Sequence, residues 1–120
     1  MNSQIFKIKQ FDTLPKLKVS ITTPSRLNAH QEFDLSEVNN ITFTMVKQNC
    51  DEVKILEQSA STICASAGTI QYEWKSTDTD EYGSFLGEFT LNYSNGNKLT
   101  VPQNEPIKIE ITKSINPFKD

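Results

Sequence analysis

The sequence predicts an all-β protein, an antiparallel β-sandwich of about seven to nine short strands in a single domain. Three observations lead there. Two long segments alternate between apolar and polar side chains, turn signals recur about every ten residues, and no stretch of any length carries the periodicity of an amphipathic helix. At 120 residues the chain has the size of one domain, enough to bury roughly two thirds of its unfolded surface.

The segment 68–93 organises the rest. Ile70, Tyr72 and Trp74 alternate with Gln71, Glu73 and Lys75, and a period of two sends the two sets to opposite faces of a sheet. Beyond an acidic corner, Phe85, Gly87, Phe89, Leu91 and Tyr93 alternate with Leu86, Glu88, Thr90 and Asn92. The expectation is two long strands whose rings Tyr72, Trp74, Phe85 and Phe89 share one dry interior.

Taken from the start, residues 4–10 read as a first strand, with Phe6 and Ile8 on one face and Lys7 and Lys9 on the other; exposed lysines suit a sheet edge. Pro15 breaks it, because proline brings no N–H to a ladder. Leu17, Val19 and Ile21 mark a second strand over 16–22. Residues 24–40 read as an irregular crossing, and His30 there has no Cys, Asp or second His at ligand spacing, so it reads as a solvated loop histidine. Ile41, Phe43 and Met45 give a third strand over 41–47, supported by branched threonines between them. After a turn at 48–52 come two short extended pieces, 53–57 and 61–64, with a helical turn over 52–58 as the competing reading. Asn95-Gly96 predicts a tight hairpin, since both central residues of the favoured turn take positive φ. It folds Leu99 and Val101 back against Tyr93 and Leu91 or their neighbours. Pro102 and Pro106 bracket a kink, and Ile107, Ile109 and Ile111 form the last strand. The domain is expected over 1–115, with 116–120 a flexible C-terminal tail.

Composition narrows the function classes. The net charge is −3 with a pI near 5.1, and no Lys/Arg cluster is placed to neutralise a row of phosphates, so nucleic acid is not an expected partner. No run approaches the roughly 18 apolar residues of a membrane span, and the first ten residues carry charge where a signal peptide has its apolar centre. The expectation is synthesis in a cytosol and no membrane partner. Cys50 and Cys64 are too few for a disulfide framework or a structural zinc site; whether they pair is open at the level of sequence. No cofactor is expected.

The corner over 76–83 concentrates carboxylates. Asp78, Asp80 and Glu81 are the candidate metal ligands, because Asp78, Asp80 and Gly83 fall at positions 1, 3 and 6 of a calcium-loop pattern. That pattern breaks at Tyr82 and again at Phe89, where a bidentate Glu is required. The competing structural reading is a corner in which Ser76, Thr77 or Asp78 caps backbone N–H groups. No nucleophile or base accompanies the carboxylates, so no catalytic residue is assigned and the protein is not expected to be an enzyme. A carbohydrate-binding or adhesin-type sandwich is the alternative. It needs Tyr72, Trp74 or Tyr82 as a stacking platform, and the alternation predicts Trp74 buried.

Specific residues in order carry more than the period does. They are Asp12-Thr13-Leu14-Pro15, then Asp34-Leu35-Ser36 leading to Val38, Ile41, Phe43 and Met45. Next come Gly68-x-Ile70-x-Tyr72-x-Trp74, Asp78-Thr79 and Gly83-x-Phe85-x-Gly87-Glu88-Phe89, and last Lys98-x-Thr100-x-Pro102 with the alternating isoleucines. In that order the chain resembles the immunoglobulin-like N-terminal domain of phage baseplate upper proteins. The resemblance spans nearly the whole chain, although the connection 48–67 matches nothing characteristic of it. It implies an immunoglobulin-like sandwich and a non-enzymatic structural role in a tailed bacteriophage virion. Such a module docks onto other tail, baseplate, neck or capsid proteins in many copies and supports host adhesion. Family members carry this domain at the head of a longer protein whose later parts form trimeric stalks or fibre mounts. Phe6, Phe11 and Phe118 are the candidate protein-contact anchors, since aromatic residues are enriched at interface hot spots.

Overall fold

The computed structural model describes residues 5–20, 38–64, 68–102 and 105–115. Among these the chain is all-β, with eight strands and no helix: β1 (Ile5–Lys9), β2 (Leu17–Ser20), β3 (Val38–Lys47), β4 (Val53–Cys64), β5 (Thr69–Tyr72), β6 (Gly83–Tyr93), β7 (Lys98–Val101) and β8 (Ile107–Thr112). The hydrogen-bonded order is β1-β8-β6-β3-β4-β5-β2, and β7 pairs with β6. This one sheet curls over on itself, nearly closed like a barrel.

Two strands make the closure. In β4 the first part pairs with β3, from Val46↔Val53 to Ile41↔Ala60, and the last part pairs with β5, from Ser61↔Gln71 to Cys64↔Thr69. One strand therefore carries the sheet around a corner. The turn is eased by register shifts in the β3–β4 pairing and by Glu57 at φ 49°, the extra-residue geometry that bends and twists a strand. In β6, one flank pairs with β3 along its length, while the other takes β8 at Gly83–Gly87 and β7 at Phe89–Asn92.

Inward side chains of both parts fill one interior. Phe43, Met45, Ile70, Tyr72, Phe85, Phe89, Leu91, Ile109 and Ile111 are all 1% exposed or less. Phe43 on β3 meets Tyr72 on β5 at 4.7 Å between ring centres, and Phe6 on β1 stacks on Trp74 at 5.7 Å. Gly87 is required where these layers meet. A Cβ there would lie 2.8 Å from the Phe43 ring and 2.9 Å from Ile109 Cδ1.

Several expectations change in detail. The strand leading to the acidic corner ends at Tyr72 rather than running through Trp74, yet Trp74 is still buried, at 4% exposure. The two extended pieces 53–57 and 61–64 are one twelve-residue strand with no helical turn. The pairing is not wholly antiparallel, because β1 runs parallel to β8. The Asn-Gly hairpin is a three-residue loop. Gly96 N donates to Tyr93 O at 3.0 Å and only Gly96, at φ 93°, lies in the left-handed region, the turn-plus-bulge form of the hairpin. Leu91 then faces Leu99, and Phe89 faces Val101. His30 and the tail 116–120 lie outside the described residues, as does most of the crossing 24–40.

Candidate functional site

The acidic corner is the place where sequence puts chemistry within reach, and its geometry decides what it does. Between β5 and β6 the chain turns at 75–78, where Asp78 N donates to Lys75 O at 2.8 Å. The Asp78 carboxylate folds back, and its Oδ2 accepts from Lys75 N at 2.8 Å and from the Tyr72 hydroxyl at 2.7 Å. The first bond is half of a capping box, a side chain three residues on satisfying the first free N–H. The second gives a buried phenol the partner it requires. Burial first, then the bond to Asp78 and its charge, push the Tyr72 phenol well above its ordinary value.

The next three residues clasp other parts of the sheet. Thr79 is fully buried; its carbonyl accepts from Phe11 N and its hydroxyl donates to Asp12 O, each at 2.9 Å. The Asp80 carbonyl accepts from Gln10 Nε2 at 2.9 Å, and its carboxylate pairs with Lys54 of β4. Glu81 pairs with Lys47 at the end of β3, and Lys47 also lies 3.4 Å from Glu52. The bond to Glu81, opposed by slight desolvation and reinforced by Glu52, raises the Lys47 ammonium above its ordinary value.

Asp78 therefore turns inward to Tyr72, whereas Asp80 and Glu81 are both engaged by lysines, Lys54 lying 2.5 Å from Asp80 and 4.0 Å from Glu81, and Lys47 pairing with Glu81. Among the described residues no group of three or more His, Cys, Asp and Glu is arranged to hold a metal ion. Of the readings of this corner, the capping one describes Asp78. Cys50 is an exposed free thiol.

The stacking rings are equally committed. Tyr72 and Trp74 are interior, and Trp74 meets Phe43 and Tyr72 edge-on at 87° and 89°. Trp74 Nε1 is a buried donor with no hydrogen-bond partner. Tyr82 alone of the three is exposed, with Lys113 Nζ 5.7 Å from its ring centre. Of the contact anchors, Phe6 packs into the core against Trp74, Phe11 is half-buried at φ 72° in the turn after β1, and Phe118 lies outside the described residues. Sequence reading missed the roles of Thr79 and Gln10, whose partners are 67 to 104 residues away in the chain. Only a polar residue falling at a buried position could have pointed to Thr79.

No protein-family model and no curated protein matches the chain. Among solved structures it is similar to CopC from Methylosinus trichosporium OB3b, with a TM-score of 0.54 and 9% sequence identity, over 95% of this chain and 89% of that one. At that identity the likeness is one of fold.

Proposed function

We propose that this protein is a non-enzymatic structural module of a tailed bacteriophage virion. It is an immunoglobulin-like sandwich that docks onto other tail, baseplate, neck or capsid proteins in many copies and supports host adhesion. The observation that carries the non-enzymatic part is the internal engagement of the acidic corner. Its carboxylates bond to Tyr72, Lys75 N, Lys54 and Lys47, so the groups able to do chemistry hold strands together instead.

The immunoglobulin-like architecture is supported by strand order. β3, β6 and β7–β8 stand where strands C, F and G stand in such domains. β2, β5 and the end of β4 stand where B, E and D do, with β4 shared between the layers. Fold does not assign function, and the virion reading rests on the ordered motifs from Asp12-Thr13-Leu14-Pro15 to Lys98-x-Thr100-x-Pro102. A carbohydrate-binding surface is less favoured, because two of its three proposed rings are interior.

Such a protein is made in the cytoplasm of a host bacterium and resides in the particle. Mass spectrometry of purified virions tests this: the chain is expected among the particle proteins at many copies. Its absence from particles whose genome encodes it contradicts the reading.

A further inference from the structure

The hairpin between β6 and β7 carries one reactive pair of residues that the fold leaves uncovered. Of the ten asparagines in the chain, Asn95 alone is followed by glycine; the others precede Ser, Ala, Asn, Ile, Cys, Tyr, Lys, Glu or Pro. An asparagine side chain is thermolabile because the amide nitrogen of the next residue can attack its Cγ, and a side chain on that next residue hinders the attack. Gly96 has none. Residues 94–97 are all exposed, and the place where a Cβ on Gly96 would stand has no atom within 4 Å. By contrast, Asn40 and Asn92 lie within β3 and β6 and hold one another, Asn92 Nδ2 donating to Asn40 Oδ1 at 2.6 Å.

Two hydrogen bonds act on the reacting atoms in opposite senses. Gly96 N, the nucleophile, donates to Tyr93 O at 3.0 Å, which holds it out of the reaction. Asn97 N donates to Asn95 Oδ1 at 3.0 Å, the oxygen on which negative charge develops, so a donor already stands in place for it. The restraint on Gly96 N is a single exposed bond, at one end of a four-residue strand that pairs only with β6. Opening it needs far less free energy than unfolding the core.

We propose that Asn95 is a site of self-modification, which the folded chain converts to aspartyl and isoaspartyl forms through local opening of the hairpin. Solvent hydroxide removes the Gly96 N–H proton, the nitrogen forms a bond to Asn95 Cγ, and the side-chain Cγ–N bond breaks, the nitrogen leaving as ammonia with a proton from water. Water then opens the resulting five-membered imide at either of its carbonyls. Opening at Cγ leaves an ordinary aspartyl residue at position 95. Opening at the main-chain carbonyl reroutes the backbone through Cβ and Cγ and adds one carbon to the three-residue loop. Nothing is oxidised or reduced. Either product puts a carboxylate into a loop whose residues 94–97 carry no charge. The reaction is independent of what the protein assembles with.

Incubation of the full chain at mildly alkaline pH, followed by peptide mass mapping, tests it, with Trp74 fluorescence as the control for folding. A gain of about 1 Da is expected in the peptide that contains Asn95 and Gly96, at least about tenfold faster than at any other asparagine. It speeds up as pH rises and is lost in Asn95→Ser. Urea below the unfolding transition separates the routes: local opening leaves the rate nearly flat, whereas conversion through global unfolding would rise roughly tenfold per molar urea. A folded chain that stays unconverted while its urea-unfolded form converts overturns the proposal. So does a rate that climbs with urea as global unfolding does, or another asparagine that converts first.

Discussion

The two turns that flank β6 are both short, polar and rich in hydrogen-bonding side chains, yet they do different things. The corner at 73–82 bonds to residues 10–12, to Lys47 and to Lys54, so it ties the β1–β2 turn and the β3–β4 hairpin to the start of β6. The hairpin at 94–97 is closed by local bonds, from Gly96 N to Tyr93 O, from Tyr93 N to Asn97 O, and from Asn97 N to the Asn95 side-chain Oδ1. The difference is one of burial. Asp78 and Thr79 are 8% and 0% exposed, and a buried polar group must find a partner wherever the fold brings one. Residues 94–97 are all exposed, and water satisfies them.

The largest expected contrast follows from Asp78. Asp78→Ala leaves the Tyr72 hydroxyl and Lys75 N–H without their acceptor and should cost about 3 kcal/mol in urea unfolding. Tyr72→Phe should cost less. The two changes should be far from additive in a double-mutant cycle, since they remove one shared contact. Thr79→Val keeps the shape and loses the bond to Asp12 O, for about 1–2 kcal/mol. At the other turn, Gly96→Ala meets nothing within 4 Å but keeps a φ of 93°, so its cost is purely conformational, about 1 kcal/mol. A drop at Gly96→Ala as large as at Asp78→Ala would erase the contrast.

Within the corner, exposure should also grade the effects. Asp80 is 41% exposed at its side chain, and Asp80→Asn should cost under about 1 kcal/mol, a loss that shrinks in high salt. Tyr72 separates the buried part by pH. Its phenol is raised from 10.0 in the folded state, so the unfolded chain releases that proton first. Stability is full below pH 10 and falls as pH rises beyond it. Tyr93, raised by burial, and Lys47, raised by Glu81, act in the same direction. Urea titrations from pH 9 to 11 should show a shallower fall for Tyr72→Phe than for the wild type, with no pH-dependent difference near neutrality.

The same contrast explains what the sequence disclosed. Alternation located the interior rings correctly, because burial of Tyr72, Phe85 and Phe89 is a matter of which face a residue takes. It could not locate strand ends. Trp74 keeps the rhythm while lying beyond the ladder, since a chain can leave its hydrogen-bonded partner and still point side chains at the core. The reverse holds in β4, where the bulge at Glu57 shifts the register and a continuous strand reads as two fragments. Asn95-Gly96 announced a turn, but three loop residues and two share the same dipeptide. The clasp formed by Thr79 and Gln10 left no trace, because its partners come from the two ends of the chain. The parallel pairing of β1 with β8 was hidden for the same reason.

The account depends on the aromatic cluster being interior, so that the corner serves the fold and only outer surfaces are left to act. Trp74 is the one tryptophan in the chain, and its fluorescence reports on that cluster directly. A blue-shifted emission that acrylamide quenches poorly is the expected result. Emission at the position of tryptophan in water, quenched as freely as the amino acid, would contradict it.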